Sequence, residues 1–117
     1  MIDLISVNTY ASMAVDYIAK DEKAKCEGIV QALTPLLTDR QEILNKLEEK
    51  ASASGSDNSW NRYESADQAY AYGEQLKVLL EEFTQDEMSW EDIEWQLADL
   101  VKSTGNEMMY RLERAQW

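Results

Sequence analysis

The sequence predicts an all-α fold, a compact bundle of five to six helices in a single domain over residues 1–117. Three observations lead there. Apolar residues recur at three- and four-residue spacing almost throughout, the period of an amphipathic helix. No stretch alternates with period two over the length of a strand, and β-branched clusters are absent. The one low-complexity stretch, ASASGSDNS at 51–59, has only small polar side chains and reads as a flexible loop between two halves of one domain.

The first helix is predicted from Leu4, Val7, Ala11, Ala14 and Ile18, with Asp3 as its N-cap. A second starts near Asp21 and places Cys26, Ile29, Val30 and Leu33 on one face. Pro35 is expected to end it, since proline disfavours helix at the preceding Thr34 and has no N–H to donate. A third restarts nearby. Either Thr34 caps it with Pro35 in the first turn, or Asp39 caps it with Glu42 three residues on as a capping box. Its inward residues are Leu36, Ile43, Leu44 and Leu47. After the loop, a fourth helix begins at about Trp60 or Ser65 and reaches Phe83, with Ala69, Tyr72, Leu76, Leu79 and Leu80 inward. Ser89 with Asp92 opens a fifth, whose inward face is Trp90, Ile93, Leu97, Leu100 and Val101. Gly105 is expected to close it as a left-handed C-cap. A short sixth piece follows, with Met108, Met109 and Leu112 on one side.

Composition excludes several kinds of chemistry. The chain has 117 residues, no histidine and a single cysteine. Without histidine there is no Ser-His-Asp or Cys-His catalysis, no His-ligated zinc or haem, and no imidazole switch. Cys26 can form neither an internal disulfide nor a CxxC site, and its place on an apolar helical face marks it as a small buried hydrophobe. Four glycines, none in a phosphate-cradling pattern, leave no nucleotide loop. No apolar run approaches the ~18 residues of a membrane span. The start MIDLISVNTY lacks the basic region of a signal peptide. A soluble, unexported, cytoplasmic protein without cofactors is expected.

Charge is the more informative signal. Lys and Arg number 11 against 23 Asp and Glu, a net charge of −12, so direct binding to nucleic acid or an anionic membrane is disfavoured. The imbalance is concentrated. Residues 1–56 hold nine acids and six bases; residues 57–117 hold fourteen and five. Between residues 78 and 101 stand Glu81, Glu82, Asp86, Glu87, Glu91, Asp92, Glu94 and Asp99, with no base among them. Acids in the first turn of the fifth helix suit its dipole, and the rest aid solubility. The aromatics point to more than that. Turning about 100° per residue from Ile93, Trp95 falls at about 200°, opposite the core, between Glu91 at about 160° and Asp99 at about 240°. On the fourth helix Tyr63, Asp67, Tyr70, Glu74 and Glu81 lie on the side away from Leu76. An aromatic on such a face is either covered by another helix of the bundle, the preferred reading for Tyr63 and Tyr70, or held ready as an interface anchor, and for Trp95 both readings stand.

Three functions fit these residues to different degrees. The first is a non-enzymatic module that binds a basic, nucleic-acid-handling protein and blocks its nucleic-acid site, with Trp95 as anchor and the eight acids as the attracting field. Those acids fall about once per 4.5 Å of helix, against one charge per ~1.7 Å of duplex axis, so imitation of DNA is partial and local. In size and acidity the chain resembles the small acidic inhibitors that phages and plasmids use against restriction and CRISPR systems. That resemblance covers no motif. It implies action inside a host cytoplasm if the protein is phage-encoded. The second is a toxin immunity protein or secretion chaperone, which also covers basic or apolar surfaces. The third is a carboxylate and Mg²⁺ dependent nucleotide pyrophosphohydrolase, since Glu91 with Glu94 and Glu64 with Asp67 have the three-residue spacing of metal-binding pairs. Both pairs project away from their apolar stripes, whereas a bundle metal site needs inward carboxylates. An EF-hand starting at Asp57 fails, because Arg62 replaces the turn glycine and Gln68 the bidentate glutamate.

Overall fold

The computed structural model describes the backbone of residues 2–116 and the side chains of residues 2–112. Met1 and Trp117 lie outside the described residues. Five helices appear and, among the described residues, no strand: α1 (Leu4–Ala19), α2 (Lys23–Leu37), α3 (Arg40–Ser54), α4 (Asp57–Thr84) and α5 (Trp90–Gln116). α4 is the hub and touches the other four, while α5 lies mainly against α1 and also against α4. At about 1.5 Å per residue α4 spans about 42 Å, close to the 47 Å long dimension of the molecule.

α1 forms as its spacing predicts. Leu4, Val7, Ala11, Ala14 and Ile18 are its buried residues, and the Asp3 carboxylate accepts from the Ser6 N–H at 2.7 Å, satisfying one otherwise unpaired donor. It stops where Lys20 and Asp21 leave the helix, Asp21 with φ of 55°.

α2 corrects the expectation at Pro35. The helix continues through the proline to Leu37. Pro35 sits in the last turn, where only one ladder bond is lost, and continuation carries Leu37 onto the stripe of Cys26, Ile29 and Leu33 in the core. The Asp39 capping box does not form either. The Asp39 carboxylate accepts instead from the buried Tyr70 hydroxyl of α4 at 2.7 Å, and Glu42 pairs with Lys46. Arg40, next in line, reaches Glu74 at 2.6 Å and Asp67 at 3.8 Å on α4. These contacts hold the start of α3 on α4, and Tyr70, on the side of α4 away from Leu76, is buried among them.

The flexible loop expected at 51–59 shrinks to Gly55 and Ser56. α3 runs through Ser54, and Gly55 with φ of 64° closes it by donating its N–H to the Ala51 carbonyl at 2.8 Å. Ser56 then caps α4 by accepting from the Ser59 N–H at 3.2 Å. One serine that reads as linker, Ser56, is a cap, because a hydroxyl satisfies a helix end as readily as it suits a loop.

Gly105 does not end the fifth helix, and no separate sixth piece exists: α5 is continuous from Trp90 to Gln116. The reason lies on α1. The Asn8 amide donates to the Val101 carbonyl at 3.0 Å and to the Thr104 hydroxyl at 2.9 Å, fixing the turn just before the glycine. Ile93, Leu97 and Leu100 enter the core as predicted, but Trp90 does not. At the first position of α5 it is 52% exposed.

Candidate functional site

Continuity of α5 decides which residues share its outer face. Helical rotation places Glu91, Trp95 and Asp99 one turn apart on a common arc, and about two, three and four turns past Trp95 on the same side come Lys102, Asn106 and Met109. Trp95 is 81% exposed, the most exposed large apolar side chain among the described residues. Glu91, Asp92 and Asp99 beside it are exposed as well, and Glu94, about 100° round the helix toward the core, is half-buried. Ser89 donates its hydroxyl to Asp92 at 2.9 Å, tying the entry of α5 to the first turn.

The eight predicted acids do not act as one field. Asp86 stands in the α4–α5 turn with φ of 58° and forms an ion pair with Lys23 at the start of α2, whose ammonium also lies 5.8 Å from the Phe83 ring centre. Its charge is locally neutralised. Glu81 faces Lys77 at 3.9 Å and lines a shallow groove between α2 and α4, away from the α5 surface. Glu82, Glu87, Glu91, Asp92, Glu94 and Asp99 remain, and among the described residues none has a cation within ion-pair distance. Four of these six are on α5 with Trp95.

Sequence reasoning missed part of the exposed apolar surface. Trp90, Met109, Tyr110 and Leu112 of α5 are 48–58% exposed. The signal for Met109 was in the sequence: read through Gly105 without a break, it falls at about 160° beside Trp95's arc. Trp60 is exposed at the start of α4 and meets Tyr63 edge-to-face, with ring centres 5.9 Å apart.

Cys26, Tyr70 and one of the two carboxylate pairs are engaged in packing, hydrogen bonds or ion pairs. Burial pushes the Cys26 thiol up to about 11, so it holds its proton and packs as a hydrophobe. Tyr70 is raised too, first by burial and then by its bond to Asp39. Of the two candidate metal-binding pairs, Glu64 is engaged by Arg111 at 3.3 Å and Asp67 by Arg40, so that pair is divided between α5 and α3. The Asp57–Gln68 stretch tested as an EF-hand loop is helical throughout. Among the described residues no three metal-ligating side chains gather, and no helix is long and apolar enough to cross a membrane. Compared with protein-family models, with curated proteins and with solved structures, the chain matches none.

Proposed function

We propose that this protein is a non-enzymatic binding module that docks the outer face of α5 against a basic, nucleic-acid-handling protein and blocks its nucleic-acid site, as an inhibitor of the anti-restriction or anti-CRISPR kind. One observation carries the reading: an 81% exposed tryptophan amid carboxylates that lack a cationic partner among the described residues. A solvated helical face made only for solubility needs the acids and has no use for the indole. Uncompensated carboxylates raise the encounter rate with a basic surface, and a buried aromatic lengthens the residence of the complex.

The pairing of Asp86 and Glu81 within the chain makes long-range imitation of a phosphate backbone weaker than the eight acids implied. The reading therefore rests on a local patch about two turns long, with Trp95 at its centre and Glu91, Asp92, Glu94 and Asp99 around it. Its test is capture from a bacterial lysate, with washes of rising salt and identification of each eluate by mass spectrometry. Recovery of one basic nucleic-acid-handling protein, displaced by added nucleic acid, is the expected result. Recovery that nucleic acid does not compete overturns site blocking and leaves conformational inhibition or an immunity-type complex. A blank in lysates of several hosts overturns the function.

A further inference from the structure

We infer that the Trp95 face receives an arginine, rather than a lysine, from the protein it binds; the inference rests on the basic-partner reading above. Three aromatic rings of this chain, the buried Phe83, the half-buried Tyr17 and the exposed Tyr110, each have a cation over them. Lys23 lies over Phe83 at 5.8 Å, Lys25 over Tyr17 at 5.2 Å and Arg111 over Tyr110 at 5.7 Å. Trp95 is more exposed than any of them and offers the strongest ring quadrupole, yet among the described residues no cation of the chain lies over it. A ring face open to solvent, in the region with the greatest excess of carboxylates, is complementary to a cation brought by another molecule.

The geometry favours a planar cation. Glu91 and Asp99 stand four residues, about 6 Å of axial rise, on either side of Trp95 and within about 40° of it around the helix. A guanidinium stacked flat on the indole directs its N–H groups outward in its own plane, along the helix toward these carboxylates. It is also weakly hydrated, so stacking costs it little solvation. An ammonium is compact and strongly hydrated. It presents no flat face to the ring and gives up more hydration on meeting it. The acidic field attracts both cations equally, so the preference arises from the indole.

The test compares two capped peptides of equal charge, (Gly-Arg)₄ and (Gly-Lys)₄, titrated into the ¹⁵N-labelled full chain at low salt. The reporter is the Trp95 indole N–H, assigned with Trp95→Phe. The arginine peptide is expected to bind about five- to tenfold more tightly and to shift that resonance. In Trp95→Leu the preference is expected to fall to nearly one while lysine-peptide affinity changes less than twofold. Equal affinities, or a preference that survives Trp95→Leu, overturn the arginine site. If both peptides bind equally at the α5 carboxylates, the basic-partner reading stands without it; if neither binds, both fall. Sedimentation of the protein alone supplies the remaining arm, since a dimer dispersed by Trp95→Leu would assign this face to a second copy and overturn the inference.

Discussion

A methyl group added at Gly105 tests whether α5 is one helix, and therefore whether Trp95 and Met109 share a face. In a helix interior glycine costs about 1 kcal/mol relative to alanine, because it loses more backbone freedom on folding. The nearest atom that a new Cβ would meet is the Asn8 amide nitrogen at 3.8 Å, an ordinary contact, so nothing offsets the gain. Gly105→Ala should therefore stabilise the protein by up to about 1 kcal/mol and raise the melting temperature by about 4 °C for a domain of this size. Urea titration followed by circular dichroism at 222 nm measures the first, and a thermal scan the second. Had Gly105 ended the helix in the left-handed conformation, alanine would incur a steric penalty of about 1–2 kcal/mol and the sign would reverse. A destabilised Gly105→Ala would refute the continuous helix and the face built on it.

Gly73 should respond in the opposite sense: a Cβ there would stand 2.7 Å from the Ile2 Cδ1 and 3.0 Å from the Leu37 Cδ2, and displacing buried Ile2 costs about 2 kcal/mol against a gain of about 1. Gly73→Ala is thus expected to lose about 1 kcal/mol in the same urea titration, and a gain would mean that the crossing of α1, α2 and α4 is looser than described. Tyr70→Phe removes a hydrogen bond to a carboxylate and should cost about 1.5 kcal/mol; an unchanged midpoint would deny that Asp39 fixes the α2–α3 turn to α4. Alkali should also destabilise the protein. The Cys26 thiol ionises near 9.0 when unfolded and about 11 when folded, so its contribution is complete below pH 9 and is lost as pH rises through about 11, with raised Tyr70 acting in the same direction. Urea midpoints between pH 8 and 11 should fall more steeply for the wild type than for Cys26→Ala, and parallel slopes would contradict the burial of the thiol.

The parts of this fold that follow from local spacing were legible, and the parts that depend on contacts between distant segments were not. α1, the burial of Cys26 and the outward position of Trp95 needed only helical periodicity. Pro35, Gly105 and the 51–59 stretch each carry a breaker signal, and each is overridden: by burial of Leu37, by the Asn8 clamp from α1, and by Gly55 and Ser56 serving as caps. Periodicity puts Tyr70 on the side of α4 away from Leu76 but does not say what covers it; a helix touched by four others has little outer face in its middle, and the start of α3 packs there. In the candidate site, Asp86 lost its place to Lys23, a residue 63 positions away that no local rule connects to it. Lys77 lies immediately outside the 78–101 window and at the four-residue spacing from Glu81, so that pairing was visible in principle.

Side-by-side capture with wild-type and Trp95→Ala baits tests the central claim most directly. The substitution leaves the core intact, since Trp95 is 81% exposed while Leu97, two positions on, is fully buried. Its effect on stability is expected to stay within about 0.5 kcal/mol. If α5 docks a basic nucleic-acid-handling protein through Trp95, that protein is recovered on the wild-type bait and depleted at least tenfold on Trp95→Ala, whose circular dichroism and urea midpoint are unchanged. Equal recovery on the two baits would contradict the site, and equal recovery on a bait carrying Glu91→Lys and Glu94→Lys as well would remove α5 from the interface altogether.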